Sequence, residues 1–205
     1  MSQMAENANN YPPRFANAAF DIVAIASSAG GLSALREILS TLPGEFTAAI
    51  AVVQHLAPQH RSLMSEILAR RTALKVKQAK NGDSLTPGTV YIAPPDHHLL
   101  VNSNGTLSLS QSELVHFLRP SADLLFESVA ASYKDRAIAV VLTGTGKDGA
   151  RGVEAIHQMG GTIIAQDKKT AEFSGMPNAT INTGNVNFVL PLPEISAALV
   201  ALVMG

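Results

Sequence analysis

The chain has 205 residues, 46% of them hydrophobic and 15% charged, which suits a globular core and excludes a disordered polypeptide. A net charge of −1 without any block of like charge gives no electrostatic footprint for nucleic acid. Cysteine is absent, which removes disulfides, thiolate metal sites and a cysteine nucleophile together.

Residues 1–18 are rich in Asn and Ala, carry Pro12-Pro13 and show no sustained period, so they read as a flexible leader before one domain over residues 19–205. They lack the basic start and apolar centre of a signal peptide. An apolar run, Ile22-Val23-Ala24-Ile25-Ala26, predicts a buried parallel strand starting near Asp21. A helix is expected over 31–42, where Leu32, Leu35, Ile38, Leu39 and Leu42 keep helical spacing and Pro43-Gly44 stops it. A second strand over 48–53 and a helix over about 61–71 follow, the latter striped by Leu63, Ile67 and Leu68.

The middle of the chain has another character. Residues 74–79 alternate as a strand, Asn81-Gly82-Asp83 is a turn, and 89–93 is a further short strand. Residues 99–101 and 106–110 flank Asn102-Ser103-Asn104-Gly105, which predicts an antiparallel hairpin at one edge of the sheet. Ser121 then opens a helix, with Asp123 in the first turn, where a carboxylate suits the macrodipole. The strand at 137–142 runs through a glycine-rich turn into a helix bearing Val153, Ile156 and Met159. Strands at 162–165 and 188–190 and a closing helix over 195–204 complete the series. That last apolar run is far short of the ~20 residues that span a bilayer. This alternation implies an α/β fold: a doubly wound, mainly parallel sheet with helices on both faces.

Three side chains sit just past the apolar runs. Ser28 lies in Ser27-Ser28-Ala29-Gly30-Gly31, where strand gives way to helix and backbone N–H groups can face a phosphate or an oxyanion. Read alone, it is a helix cap or a nucleophile; the segment is neither G-x-S-x-G nor a three-glycine dinucleotide loop. His55 closes the second run and precedes Ala57-Pro58, as a half-exposed surface group or a general base. Asp148 lies in Gly144-Thr145-Gly146-Lys147-Asp148-Gly149, as an N-cap or as the acceptor of a histidine Nδ1–H. Open α/β sheets bind ligands beyond the carboxyl ends of their strands. Convergence of the three on that rim would make a serine hydrolase.

Ser-x-Gly-Gly after the first strand, Gln54-His55 after the second and Leu-Thr-Gly-x-Gly-x-Asp-Gly after a later one together resemble the catalytic domain of the CheB family of chemotaxis protein-glutamate methylesterases. Further motifs agree in the same order: Asn81-Gly82-Asp83 with Pro87-Gly88, Tyr91-Ile92-Ala93-Pro94 with Asp96 and His98, Arg119-Pro120-Ser121 with Asp123, and Gly175-Met176-Pro177. The resemblance spans residues 21–200. It implies Ser28 as nucleophile, His55 as general base and acid, and Asp148 as the carboxylate that orients His55. The backbone N–H groups of Ala29 and of the Thr145-Gly146 turn are the oxyanion candidates, and Arg119 reads either as a contact for an acidic substrate helix or as a solvated or salt-bridged arginine.

The chain departs from the family in having Ala29 where Thr is frequent, Thr145 where Met is common, and Ala26-Ser27 where Gly-Ala precedes the serine. Only about twenty residues stand before the first strand, so no receiver domain is expected in cis. The implied substrate is a glutamate γ-methyl ester on the cytoplasmic helices of a chemoreceptor, with glutamine deamidation by the same route. No metal or organic cofactor, no nucleic acid and no membrane insertion are expected, a cytoplasmic location is, and a separate receiver protein is a candidate partner.

Lesser candidates are His97-His98, a pair that suggests metal ligands but points oppositely on an extended segment, which favours a structural hydrogen-bonding role for His98 over a metal, Lys147, read as a surface group, and Met176-Pro177, read as shaping the rim. Two other classes remain: a phosphate- or nucleotide-binding module built on the same turns, separable by serine-reagent labelling of Ser28, and an inactive esterase-like scaffold.

Overall fold

The computed structural model describes residue 12, residues 14–55 and residues 62–205. Seven parallel strands form one sheet: β1 (Ile22–Ser27), β2 (Ala49–Gln54), β3 (Lys75–Gln78), β4 (Thr89–Ile92), β7 (Ala137–Val141), β8 (Thr162–Gln166) and β9 (Phe188–Leu190), in spatial order β3-β4-β2-β1-β7-β8-β9. Two further strands, β5 (His98–Val101) and β6 (Leu107–Ser110), pair antiparallel. The helices are α1 (Gly31–Thr41), α2 (Met64–Ala69), α3 (Ala122–Tyr133), α4 (Ala150–Gln158), α5 (Gly175–Ile181) and α6 (Leu192–Met204).

The chain builds outward from β1 through β2 to β3 and β4, then crosses back by α3 to lay β7 on the other side of β1. A topological switch point therefore falls between β1 and β7, where doubly wound sheets leave a crevice.

Burial on both faces explains the continuous apolar runs. Along β1, Val23 and Ile25 face α1, α2 and α6, packing with Leu35, Ile38, Met64, Ile195 and Leu199. Ile22, Ala24 and Ala26 face the opposite layer, with Phe126 and Val129 of α3, Val153 of α4 and Leu99 of the hairpin. Alanine at these alternate positions, repeated at Ala49, Ala51 and Ala139, leaves room for that second layer.

The hairpin does not extend an edge of the main sheet, as the sequence suggested; it forms its own two-stranded sheet over α3. Its backbone groups are already engaged. Ser128 Oγ accepts from Val101 N and Ser132 Oγ donates to Val101 O, both at 3.0 Å. On the other side, Leu107 N donates to Asp83 O and Gly82 N to Leu107 O, each at 2.8 Å. Both of its edges are thus occupied without the main sheet.

Residues 1–11 and 13 of the expected leader lie outside the described residues, as does the expected helix start at Arg61. The described part of the leader is docked: Phe15 N donates to Asp21 Oδ1 at 2.7 Å, and Arg136 bridges the Asp21 carboxylate and Pro12 O. Met159, expected on an apolar stripe, is 45% exposed because α4 ends at Gln158 and Met159 already belongs to the turn. Among the described residues no helix is long and apolar enough to cross a membrane.

Candidate active site

Strand register brings the sequence candidates together. Ser27 of β1 stands beside Gln54 of β2, so Ser28 and His55 leave adjacent strand ends side by side. His55 N donates to Ser27 O and Ser28 N to Thr143 O, both at 3.0 Å, which carries the sheet's ladder into the three loops that form the rim. Ser27 itself is buried, and its hydroxyl donates to Gln54 Oε1 at 2.7 Å. Gln54 Nε2 donates to Ser28 O at 2.7 Å and His55 O at 3.1 Å, tying the two strand ends together. Ser28, half-buried, makes no side-chain hydrogen bond among the described residues.

Two glycines permit this closeness. A Cβ on Gly31 would collide with Gln54 Oε1 and come within 2.7 Å of the Ser27 hydroxyl. One on Gly144 would collide with Met176 Sδ and lie 2.8 Å from Ser28 Cβ.

His55 Nε2 lies 2.8 Å from Asp148 Oδ2. The sequence reading placed Nδ1 at that contact; the structure corrects it. Asp148 is held back at the start of α3, across the crevice from β2, and the ring nitrogen farther from the backbone is the one that spans the gap. Nδ1 is left without a hydrogen bond among the described residues.

Asp148 is 2% exposed and saturated. Oδ1 accepts from Ser121 Oγ at 2.8 Å and Asp123 N at 3.2 Å; Oδ2 accepts from Ala122 N at 2.6 Å as well as facing His55. It therefore caps α3, the task expected of Ser121, whose hydroxyl instead reaches Asp148. Asp123 returns the arrangement: its Oδ1 accepts from Gly149 N at 2.9 Å and Gly152 N at 2.8 Å, capping α4. Each helix start is thus satisfied by a carboxylate from the other's segment.

The two carboxylates titrate in opposite directions. Burial would raise Asp148, but the bonds from His55, Ala122 N and Ser121 outweigh it and hold the carboxyl below its ordinary range. Asp123 is held above that range, first by burial and then by the charge of Asp148, against the opposing bonds from Gly152 and Gly149.

The other expected residues occupy the same rim. The N–H groups of Ala29, Thr145 and Gly146 make no hydrogen bond among the described residues, and Thr143 Oγ1 donates to Ala29 O at 3.0 Å. Met176 N donates to Gly144 O at 2.9 Å, seating α5 beneath the glycine-rich turn. Arg119 lines a cleft of about 240 Å³ with His55, Asp96, Leu114, Phe117, Leu118 and Pro120. Its guanidinium is committed to Asp96 Oδ1, at 2.9 and 2.7 Å, and to the carbonyls of Gln111 and Ser112. His98 is fully buried; Nδ1 accepts from Ser121 N at 3.1 Å, so Nε2 donates to Glu113 O at 3.1 Å. Lys147 is exposed.

The sequence reading missed the strand clamp of Gln54, the cross-capping by Asp123 and the buried Gln166, whose Oε1 accepts from Thr143 N at 2.8 Å. Gln54 and Gln166 each end their strand directly after an unbroken apolar stretch, and a polar side chain there was the available signal.

The CheB methylesterase family profile matches residues 23–199. The crystal structure of the Thermotoga maritima CheB methylesterase catalytic domain superposes with a TM-score of 0.86 at 40% identity, over 89% of this chain and 98% of that one. The protein-glutamate methylesterase FrzG of Myxococcus xanthus is 41% identical over 197 residues, which are 96% of this chain and 57% of FrzG. A Leptospira interrogans protein, named for methylesterase and glutaminase activities, is 39% identical over 183 residues, 89% of this chain and 95% of its own length. Against FrzG, and against a Moorella thermoacetica relative of which 45% is matched, the chain spans about half the relative's length. The matched stretch contains the strand ends and turns that carry Ser28, His55 and Asp148, and over it the chain belongs to the CheB methylesterase family.

Proposed function

We propose that this protein is a protein-glutamate methylesterase in which Ser28 is the nucleophile, His55 the general base and acid, and Asp148 the carboxylate that orients His55. The observation that carries the reading is the 2.8 Å contact between His55 Nε2 and the buried, fully bonded Asp148. That contact supports Nε2 as the donor to the carboxylate, which leaves Nδ1 as the nitrogen to accept the Ser28 proton. Serine–histidine contacts often tighten only with substrate in place, so the free Ser28 hydroxyl is consistent with this role. Ser27 is disfavoured as nucleophile because it is buried and its proton is already given to Gln54.

In this reading Ser28 Oγ attacks the ester carbonyl carbon while its proton passes to His55 Nδ1. The negative oxygen is met by N–H groups of Ala29 and of the Thr145-Gly146 turn. His55 returns the proton to the departing methoxy oxygen, and methanol leaves. Water, deprotonated by the same nitrogen, splits the acyl-serine and releases glutamate. A glutamine side chain follows the same path with ammonia as the leaving group. Arg119, already paired with Asp96, acts as a wall of the cleft.

The proposed substrate is a methylated chemoreceptor, met in the cytoplasm, with a separate receiver protein as a candidate regulator. Residues 19–205 are proposed as the catalytic unit. The test is methanol release from methylated receptor fragments. Ser28→Ala should lower turnover by about 10⁴-fold or more with the fold intact. Ser27→Ala should stay within about tenfold of the unaltered protein, since it removes one hydrogen bond. Near-normal release by folded Ser28→Ala protein would refute the assignment.

A further inference from the structure

The turn between β6 and α3 has features that ester hydrolysis does not call for. Val115 N donates to Leu118 O at 3.1 Å and Leu118 N to Val115 O at 2.8 Å, closing a tight loop. The two residues inside it, His116 and Phe117, adopt φ of 52° and 63°. Left-handed backbone is unfavourable for bulky residues, and it persists only where surrounding contacts impose it.

One such contact is visible. His116 Nε2 stands 3.4 Å from Asp123 Oδ2, a buried oxygen with no hydrogen bond among the described residues. Asp123 is the residue that caps α4 and whose N–H bonds Asp148. The turn is therefore pinned to the framework that holds Asp148 and, through it, His55.

His116 and Phe117 serve different clefts. His116 lines one with Asp123 and Lys147, whereas Phe117 stands at the cleft that contains His55. Phe117 is 94% exposed and Leu114, on the same cleft, 52%. Single exposed apolar side chains are ordinary. Two at the mouth of one cleft, one of them on strained backbone, form a prepared surface. The polar groups beside them, Asp96 and Arg119, neutralise one another, so what the ledge offers is apolar contact.

We propose that Phe117, with Leu114, recognises the polypeptide around the target glutamate. Its ring packs on apolar side chains flanking the ester and so directs the enzyme to a protein surface. On a helical substrate these are the residues three and four positions from the glutamate, which share its face. The proposal rests on the hydrolase reading and adds the means of substrate selection.

The experiment compares Phe117→Ala and Phe117→Leu with unaltered protein on two substrates: a methylated cytoplasmic receptor fragment, and a blocked glutamate γ-methyl ester without flanking residues. Binding of the fragment is measured alongside. For Phe117→Ala, kcat/KM on the fragment should fall about tenfold to hundredfold further than on the small ester, the worth of burying one phenylalanine. The change should lie in KM, fragment binding should weaken in parallel, and Phe117→Leu should recover most of it. Equal falls on both esters, or unchanged fragment binding, would overturn the proposal. If unaltered protein binds the fragment but hydrolyses neither ester, the hydrolase reading fails while the binding comparison still decides the role of Phe117. If it does not bind the fragment at all, the recognition proposal fails.

Discussion

Replacing Asp148 by Asn separates its two tasks, because all four of its partners are donors. Asn keeps one oxygen and turns the other into a donor. With the amide nitrogen in place of Oδ2, it would confront Ala122 N, 2.6 Å away, and require His55 to accept at Nε2, moving the ring proton to Nδ1. With the nitrogen in place of Oδ1, Ser121 can rotate its hydroxyl, and only Asp123 N, the longest contact at 3.2 Å, loses its acceptor. The second orientation is therefore expected.

Its cost is one unsatisfied buried N–H, about 1–3 kcal/mol, plus about 1 kcal/mol for each of two bonds that lose their charge. Relief of the repulsion with Asp123 offsets part of this, leaving a net loss of about 2–4 kcal/mol. In a domain of this size that is a fall of roughly 5–15 °C in Tm. The gap from unaltered protein should close in acid. The folded-state pKa of Asp148 is lowered, so its stabilisation is present above the ordinary carboxylate value of about 3.9 and is lost as pH falls through the lower folded value. Turnover should fall by about tenfold to hundredfold, because the retained oxygen at Oδ2 keeps the histidine tautomer while the imidazolium formed during attack loses its counter-charge. Urea titration and methanol release read the two effects separately. Lost turnover at unchanged stability would refute Asp148 as the α3 cap; lost stability with unchanged turnover would refute it as the orienting carboxylate.

Gln54→Ala removes the link between the two strand ends and should lower kcat by about tenfold to hundredfold with a smaller change in KM, as expected for misplaced reacting groups; unchanged kcat would show the strands hold position without it. Gly152→Ala would put a Cβ 2.7 Å from Phe126 Cβ and 3.0 Å from Asp123 O, so it should destabilise by about 1–3 kcal/mol in urea titration, and a neutral result would show that α3 and α4 can part freely. Burial holds the pKa of His98 below its usual value. The unfolded chain therefore takes that proton first, and stability should decline as pH is lowered through about 6.5. His98→Gln should flatten this slope, and an equal slope in both proteins would assign the decline elsewhere.

The strands were legible because a strand buried on both faces leaves no polar position to interrupt it: Ile22 to Ala26 and Ile138 to Leu142 mark the two central strands without help from any other feature. The residues that follow such runs must lie on the carboxyl rim, and that alone groups Ser28, His55 and Asp148. Helix α5 was not legible. Its seven residues include Gly175 and Pro177 and are too few to show a period; what fixes it is the tertiary bond from Met176 N to Gly144 O. The hairpin's turn was readable from Asn102 to Gly105, but its alternation does not say which polar edge it meets. Occupation of those edges by Ser128, Ser132 and the turn at 82–83 decided that.

What spacing could not show was the exchange of caps between Asp123 and Asp148, since each has an adequate local explanation as a cap or first-turn residue of the helix beside it. The exchange of caps depends on how closely α3 and α4 cross, and that closeness depends on Gly152, where a side chain would strike both Phe126 and Asp123. Sequence spacing carries no trace of a contact made between residues 26 positions apart. Yet the exchange has a chemical consequence. A carboxylate that only oriented His55 could shift when its partner moved, whereas one also bonded to Ala122 N, Asp123 N and Ser121 Oγ is fixed by the helix it caps. The His55 ring is aligned by the packing of two helices, and a substitution at their crossing should reach the site without touching it.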